Sequence, residues 1–275
     1  MSNLLVRTLS GIGFVLIMLA GLLVDKFLFA ALVLFIMTLM MLEFYRMTIG
    51  QGYRTQRVLA IIAGCIMFVM VFLNRAFHFP GKFLGLTMVP VIILMISSLY
   101  AKDRKEFKRL SHIYTGLLYI AAPLSLVNLI AFQEGEFNAL LLLCFFVIIW
   151  CSDIGAFAVG SVLGQKYGKK LWPEISPKKS WAGFWGGMAF AVLASMLLRV
   201  TGLLELPFLH GVIMAVIMHI AGVYGDLFES QWKRACDVKD SGKIIPGHGG
   251  MLDRFDSAIF AVPAGAIYLS LFNLL

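Results

Sequence analysis

The sequence predicts an all-α, polytopic membrane protein with about nine transmembrane helices and a cytoplasmic N-terminus. Of the 275 residues, 60% are hydrophobic and only 14% are charged, against about 25% charged in an ordinary soluble domain. Mean hydropathy is +0.90. Apolar runs of about twenty residues, the length a helix needs to cross a bilayer, recur along the whole chain. Basic residues crowd into alternate connections between those runs. No polar segment is long enough to be a separate soluble domain, so residues 1–275 read as one integral membrane domain.

The expected spans are 9–24, 27–43, 58–73, 83–100, 112–132, 138–160, 182–200, 206–225 and 257–274. Asp25 and Lys26 alone separate the first two, which makes them a tight helical hairpin. The first run has no small-residue cleavage site, so it is expected to be retained rather than removed as a signal peptide. Pro80 and Gly81 punctuate the third connection, and AKDRKEFKRL forms a short basic helix or turn in the fourth. Pro123 and Asn128 interrupt the fifth span and predict a kink, tolerable where neighbouring helices satisfy the backbone again.

Orientation follows from the lysines and arginines. All but Lys26, Arg75, Lys82 and Arg199 of the 23 fall at the N-terminus or in the second, fourth, sixth and eighth connections. The positive-inside rule places that side in the cytoplasm. The loops at 161–181 and 226–256 then emerge on one face and can build a site together. A net charge of +8 distributed this way points to topology and to anionic lipid or phosphate, not to nucleic acid. Cys65, Cys144, Cys151 and Cys236 have neither disulfide nor metal-ligand spacing and read as free thiols. Zinc spacing, a nucleophile–base pair and a Walker-type glycine loop are all missing from the sequence.

The charge that remains is concentrated at Gly225–Ser257, GDLFESQWKRACDVKDSGKIIPGHGGMLDRFDS. Asp226, Glu229, Ser230, Lys233, Arg234 and Asp237 recur at three- and four-residue steps, one polar stripe if the helix continues past the apolar span. The alternative is a solvated helix end with local ion pairs, the reading given to Glu229, and solvation is also expected of Lys243. In PGHGGMLDRFDS, Gly247, Gly249 and Gly250 allow N–H groups to turn inward as an anion nest. Asp253 and Asp256 follow three apart, on one face of the entering helix. With Lys239, Asp240, His248 and Arg254 nearby, this fits a divalent cation bridging phosphates, because Mg²⁺ favours one or two carboxylates plus phosphate oxygens. Asp226 and Asp253 are the leading metal pair. Upstream, Ser176, Lys178, Lys179 and Ser180 suit phosphate, or serve only as a positive-inside determinant. Asp153, ionisable within a span, is a site candidate or a structural partner of His219 or Ser152.

These residues carry a resemblance. Ser230-x-x-Lys233-Arg234-x4-Lys239-Asp240, followed by Pro246-Gly247-His248-Gly249-Gly250-x-x-Asp253-Arg254-x-Asp256, resembles the signature of the phosphatidate cytidylyltransferases (CDP-diacylglycerol synthases). Gly225-Asp226-Leu227, Asp153-x-x-Ala156-Phe157-x-x-Gly160 and Ser176-Pro177-Lys178-Lys179-Ser180-Trp181 agree with it. The match covers about 100 residues of the C-terminal half. Ser180 stands where threonine is usual, Ala182 where glutamate is expected, and Phe157 where tyrosine is more common.

The resemblance implies that CTP and phosphatidic acid react in the bilayer to give CDP-diacylglycerol and pyrophosphate, with Mg²⁺ and with a monovalent cation such as K⁺ in the same site. Asp226 and Asp253 would hold the metal. Lys239, Arg254 and the nest at Gly247, Gly249 and Gly250 would hold pyrophosphate, with Asp240 and His248 orienting these groups. Ser176, Lys178 and Lys179 would hold the lipid phosphate or the triphosphate tail, while Asp153, Ser180, Ser230, Lys233 and Arg234 complete substrate binding and Asp256 the catalytic set. Residues 136–275 are then the catalytic helices and loops, and residues 1–135 a scaffold for lipid or homodimer contacts, in the cell's inner (cytoplasmic) membrane with the site facing the cytoplasm. A CTP-dependent polyprenol or phytol kinase is the nearest alternative. A transporter would show internal repeats and broken midplane helices, which are not evident here.

Overall fold

The computed structural model of the chain describes residues 3–100, 107–133, 135–164, 169–247 and 249–275, with backbone alone at 3–7 and 107–109. Among the described residues it is all-α apart from two short hairpins. Seven helical stretches are long and apolar enough to cross a membrane: Lys26–Thr48, Arg54–Phe77, Gly81–Leu99, Leu110–Ala131, Leu140–Gly164, Trp181–Val200 and Phe208–Ala235. The first and last expected spans correspond to shorter apolar helices, Thr8–Leu23 and Ala258–Leu271. This is a multi-pass membrane protein.

The chain divides into two compact units, Met1–Asn138 with Cys236–Arg254, and Ala139–Ala235 with Phe255–Leu275. The charged loop therefore belongs with the N-terminal helices, far from it in sequence.

In the first unit, α1 (Asn3–Leu23) and α2 (Lys26–Thr48) form the expected hairpin. Asp25 caps α2 by accepting from Phe27 N–H at 2.7 Å, satisfying a donor the helix cannot pair internally. Helix α3 (Arg54–Phe77) returns, and a 3-10 turn at Gly81–Thr87 leads into α4 (Met88–Leu99). Next come α5 (Phe107–Gly116) and α6 (Ala122–Ala131), joined by a π-turn at Leu117–Ala121. Pro123 lacks an N–H for the helical ladder, and the wider turn just before it absorbs that defect within a continuous helix. Asn128 is fully buried and donates to Ser125 O at 3.0 Å. Strands β1 (Phe132–Gln133) and β2 (Glu136–Phe137) close a small hairpin. Phe29, Phe68, Phe72, Phe132 and Phe137 stack at its base with centroids 5.4–6.5 Å apart. Of the basic connection after α4, residues 101–106 lie outside the described residues.

In the second unit, α7 (Leu140–Val159) and α8 (Trp181–Val200) approach closely through small residues. A Cβ at Gly183 would lie 3.0 Å from the Ala156 carbonyl, and one at Gly186 would lie 3.0 Å from that of Gly155. Small residues permit this approach in lipid, where no hydrophobic force draws helices together. Between the helices lies a hairpin of β3 (Lys170–Trp172) and β4 (Ser176–Ser180) that the sequence reading treats only as a loop. Helix α9 (Phe208–Ala235) runs well past its apolar span, as the polar stripe requires, but stops before Asp237. Asp237 takes φ +54° and leaves the stripe. The expected single helix carrying Asp253 and Asp256 is interrupted: α10 (Leu252–Phe255) ends before Asp256 and α11 begins at Ala258.

The α7–α8 contact makes a direct prediction. At Gly187 a Cβ would lie 2.8 Å from the His219 ring and 3.0 Å from the Ser152 carbonyl. Gly187→Val should cost about 1–3 kcal/mol by overpacking. Scanning fluorimetry of purified protein in detergent should show a melting temperature lower by at least about 2 °C.

Candidate active site

The polar residues of the first unit centre on the segment between Lys239 and Arg254. Gly247 and Gly249 take φ +76° and +86°, a region glycine enters without the penalty a side chain would bring. The turn closes with Ile245 N–H donating to Gly249 O at 3.0 Å, and its tip is touched by Ser10 of α1, whose hydroxyl donates to Pro246 O at 3.0 Å. His248 lies outside the described residues. Lys239, Asp240 and Arg254 are exposed.

Asp253 is buried at 9% exposure and collects backbone donors across the base of the loop. Its Oδ2 accepts from Gly250 N–H at 2.8 Å and from Ser241 N–H at 3.0 Å. One N–H of the expected nest, that of Gly250, is thus committed to a carboxylate of the chain itself. Through these bonds Asp253 fastens the two ends of the loop.

A second carboxylate does similar work and was not among the sequence candidates. Glu43, near the C-terminal end of α2, is 2% exposed. Its Oε2 accepts from Leu252 N–H at 2.9 Å and from the Ser241 hydroxyl at 3.3 Å. The available signal was an acidic residue within an apolar run, which is costly unless it has a purpose.

In the second unit the charges gather where α7, α9, the β3–β4 hairpin and the start of α11 converge. Lys179 on β4 meets Asp226 on α9 at 2.7 Å, with both side chains half-buried. Ser230, one turn on, donates to Asp226 Oδ1 at 3.2 Å. Arg234 Nε reaches the Ile175 carbonyl of the hairpin at 3.5 Å. Ser180 is buried, and its hydroxyl caps α8 by accepting from Gly183 N–H at 3.2 Å. Ser176 is half-buried and Lys178 exposed on the same strand. Glu229 is not the solvated residue expected of a helix end. It is fully buried and takes the Lys233 ammonium at 3.0 Å.

Asp256 stands beside Asp226 and Asp153, its Oδ1 accepting from Ser257 N–H at 2.6 Å. Burial, then the charges of Asp226 and Asp153, push its carboxyl up to about 7, with the Ser257 N–H and Lys233 opposing. Asp153 thus lies within electrostatic reach of Asp256. His219 pairs with Ser152, Nδ1 to Oγ at 2.7 Å, so Asp153 is not its partner. Asp153, Asp226, Asp256, Lys179, Ser230 and Lys233 belong to the second unit, and Asp253 to the first. Among the described residues, no three His, Cys, Asp or Glu side chains form a metal-binding group.

The described residues thus form an α-helical membrane protein with lysine–carboxylate pairs toward the end of α9. The chain matches the model of the cytidylyltransferase family over residues 5–272, and it belongs to that family. It is 35% identical over 184 residues to a Bacillus subtilis protein described as phosphatidate cytidylyltransferase, covering 66% of each chain. Proteins of the same description from Staphylococcus epidermidis and Staphylococcus aureus are 34% identical over 180 residues and 36% identical over 174. Those matches cover 65% and 62% of this chain, and 66% and 63% of the relatives. The chain spans just under two thirds of the length of the curated relatives it matches.

Two predictions follow from these clusters. Lys233→Ala removes the ammonium from a buried carboxylate and should destabilise the protein by about 3–5 kcal/mol, read as a lower melting temperature, with Glu229→Gln added to Lys233→Ala restoring part of it. The second concerns pH. A carboxyl whose folded pKa exceeds its unfolded value near 4 holds its proton longer in the folded state. Its stabilising contribution is complete below that unfolded value and is lost as pH rises to about 7. Without divalent cations, melting temperature should therefore fall across that window, and Asp256→Asn should flatten the fall.

Proposed function

We propose that this chain transfers the cytidylyl group of CTP to phosphatidic acid, giving CDP-diacylglycerol and pyrophosphate for phospholipid biosynthesis. The observation that carries this reading is membership of the cytidylyltransferase family over nearly the whole chain, with relatives described as acting on phosphatidate. The lysine and carboxylate clusters supply the chemistry such a transfer needs. The proposed orientation puts these clusters on the cytoplasmic side, where the lysine- and arginine-rich connections lie.

The reaction places two anions against each other. A phosphatidate oxygen forms a bond to the α-phosphorus of CTP while the bond to the leaving pyrophosphate breaks. The attacking oxygen is already charged near neutral pH, so alignment and charge neutralisation are the main requirements and no strong base is needed. Lys179 and Lys178 on β4, with Ser176, receive phosphate oxygens, and in doing so Lys179 would exchange its present partner, Asp226. Lys239 and Arg254 hold the pyrophosphate end beside the glycine turn, and Asp240 and His248 orient it. Ser180 contributes by fixing the start of α8 directly after the lysine strand.

Mg²⁺ fits this donor set. Asp226 already accepts a cation, the Lys179 ammonium. Burial and then the charges of Asp226 and Asp153 raise Asp256, and a divalent ion would relieve the second of these. Asp226 is the more accessible of the two carboxylates the resemblance assigns to the metal. Asp253 has its oxygens turned to backbone N–H groups, and a carboxylate retains further acceptor capacity when so engaged. When bound, the ion would neutralise phosphate charge.

Purified protein given CTP and phosphatidate vesicles should form labelled CDP-diacylglycerol from α-labelled CTP, and only with Mg²⁺ present. Label entering lipid from γ-labelled CTP alone would instead establish a lipid kinase. Asp226→Ala should lower turnover at least about 100-fold and also abolish the rise in melting temperature that Mg²⁺ gives the wild type. Near-normal turnover in that variant would remove Asp226 from the metal site.

A further inference from the structure

We propose that Glu43 is a positioning residue: it sets the shape of the glycine loop from α2 and thereby governs binding of the nucleotide's phosphates. The proposal rests on the function just given. Its structural part stands on contacts within the first unit alone.

The loop is clasped at its two ends. Ser241 begins it and Leu252 follows it, and a single oxygen, Glu43 Oε2, accepts from both. Asp253 repeats the clasp one layer away by joining Ser241 N–H to Gly250 N–H. Between the clasps lie Lys243, Pro246 and the turn of Gly247 and Gly249. The turn carries one closing bond of its own, Ile245 N–H to Gly249 O, and the clasps hold its flanks.

The glycines of the loop record how closely the carboxylate approaches. A Cβ at Gly250 would stand 2.6 Å from Glu43 Oε2, and one at Gly242 would run into Glu43 Oε1. Those two positions lack side chains where the glutamate comes in. Gly250 and Gly242 therefore read as space for a fixed carboxylate as much as donors for an anion.

Burial makes the arrangement directive. Glu43 Oε1 is inaccessible and has no hydrogen-bond partner among the described residues. A buried carboxylate with one oxygen unsupported depends on the donors to the other. Without the Leu252 N–H and the Ser241 hydroxyl, this buried carboxylate would have no donor among the described residues, which ties both ends of the loop to α2. Lys239, Asp240, Arg254 and the turn are presented from the loop so tied. Glu43 itself lies beneath the loop and acts through it.

The test uses full-length protein in detergent, with Glu43→Ala, Glu43→Gln and Ser241→Ala. Hydrogen–deuterium exchange is the readout independent of turnover. Amides of 241–252 should exchange at least tenfold faster in Glu43→Ala, while peptides from α3 and α8 keep wild-type rates. Glu43→Gln, whose carbonyl oxygen can still accept from Leu252 N–H, should recover most of that protection. In kinetics, Glu43→Ala should raise the KM for CTP at least tenfold, with the KM for phosphatidate changed less than threefold. Glu43→Gln should lie between. Wild-type exchange in the loop of Glu43→Ala, or equal changes in both KM values, would overturn the proposal. If Glu43→Ala cannot be purified folded, Ser241→Ala and Glu43→Gln decide by the same two measurements. Failure of Ser241→Ala to speed exchange in the loop or to raise the KM for CTP, or of Glu43→Gln to raise the KM for CTP, would also overturn it. A wild-type protein inactive on CTP and phosphatidate would overturn the parent function, while the exchange data would still decide whether Glu43 holds the loop.

Discussion

A carboxylate removed from water must be given donors, and in a chain this apolar few are available except the backbone and a handful of lysines. Much of the polar architecture obeys that constraint. Glu43, Asp253 and Glu229 are each buried, and they draw on two kinds of donor. Glu43 and Asp253 take N–H groups from a loop that has no helix or sheet to use them. Glu229 takes the ammonium of Lys233. Because a carboxylate accepts along defined directions, each buried acid fixes the chain that supplies its donors. Rigidity at the loop thus arises from electrostatic need, without regular secondary structure.

The second unit obtains its geometry differently. Glycines on α7 and α8 allow two helices to meet at backbone distance, which holds the ends of both steady. The hairpin between them is short, and Ser180 ends it by capping α8. Lys179, one residue earlier, is consequently aimed from a strand. Its meeting with Asp226 joins the hairpin to α9, and the bond from Arg234 to the Ile175 carbonyl repeats that link one layer further along. Positions flanking the charges do the placing, and the charges themselves remain half-exposed and able to change partners.

Much of this was legible in the sequence. Span positions follow from apolar length, which the bilayer dictates and tertiary contacts hardly alter. Asp25 as a punctuation mark and the continuation of α9 through Lys233 and Arg234 follow from local rules. Glu229 was misjudged because three- and four-residue spacing names a helical face but not what covers it. The break between α10 and α11 was missed because Asp253 and Asp256 carry helical spacing across a turn. The β3–β4 hairpin was missed because its strands have no alternating apolar pattern. Glu43 escaped because its partners lie 198 and 209 residues away, beyond any local pattern. The grouping of Cys236–Arg254 with the N-terminal helices was hidden for the same reason.

That separation also bears on how the protein is made. Helix α2 leaves the ribosome long before Ser241 and Leu252 exist, by roughly 10–40 s at ordinary elongation rates. During that interval Glu43 enters the bilayer region without the donors it will eventually hold. Insertion of an acidic residue at such a place costs about 2.5–3.5 kcal/mol at worst, which the neighbouring phenylalanines, leucines and methionines of α2 offset. The nascent N-terminal helices therefore hold an acidic side chain whose hydrogen-bond donors among the described residues come only from the late-emerging loop. The contacts of Glu43 thereby join one of the first helices to be made to a loop made some two hundred residues later.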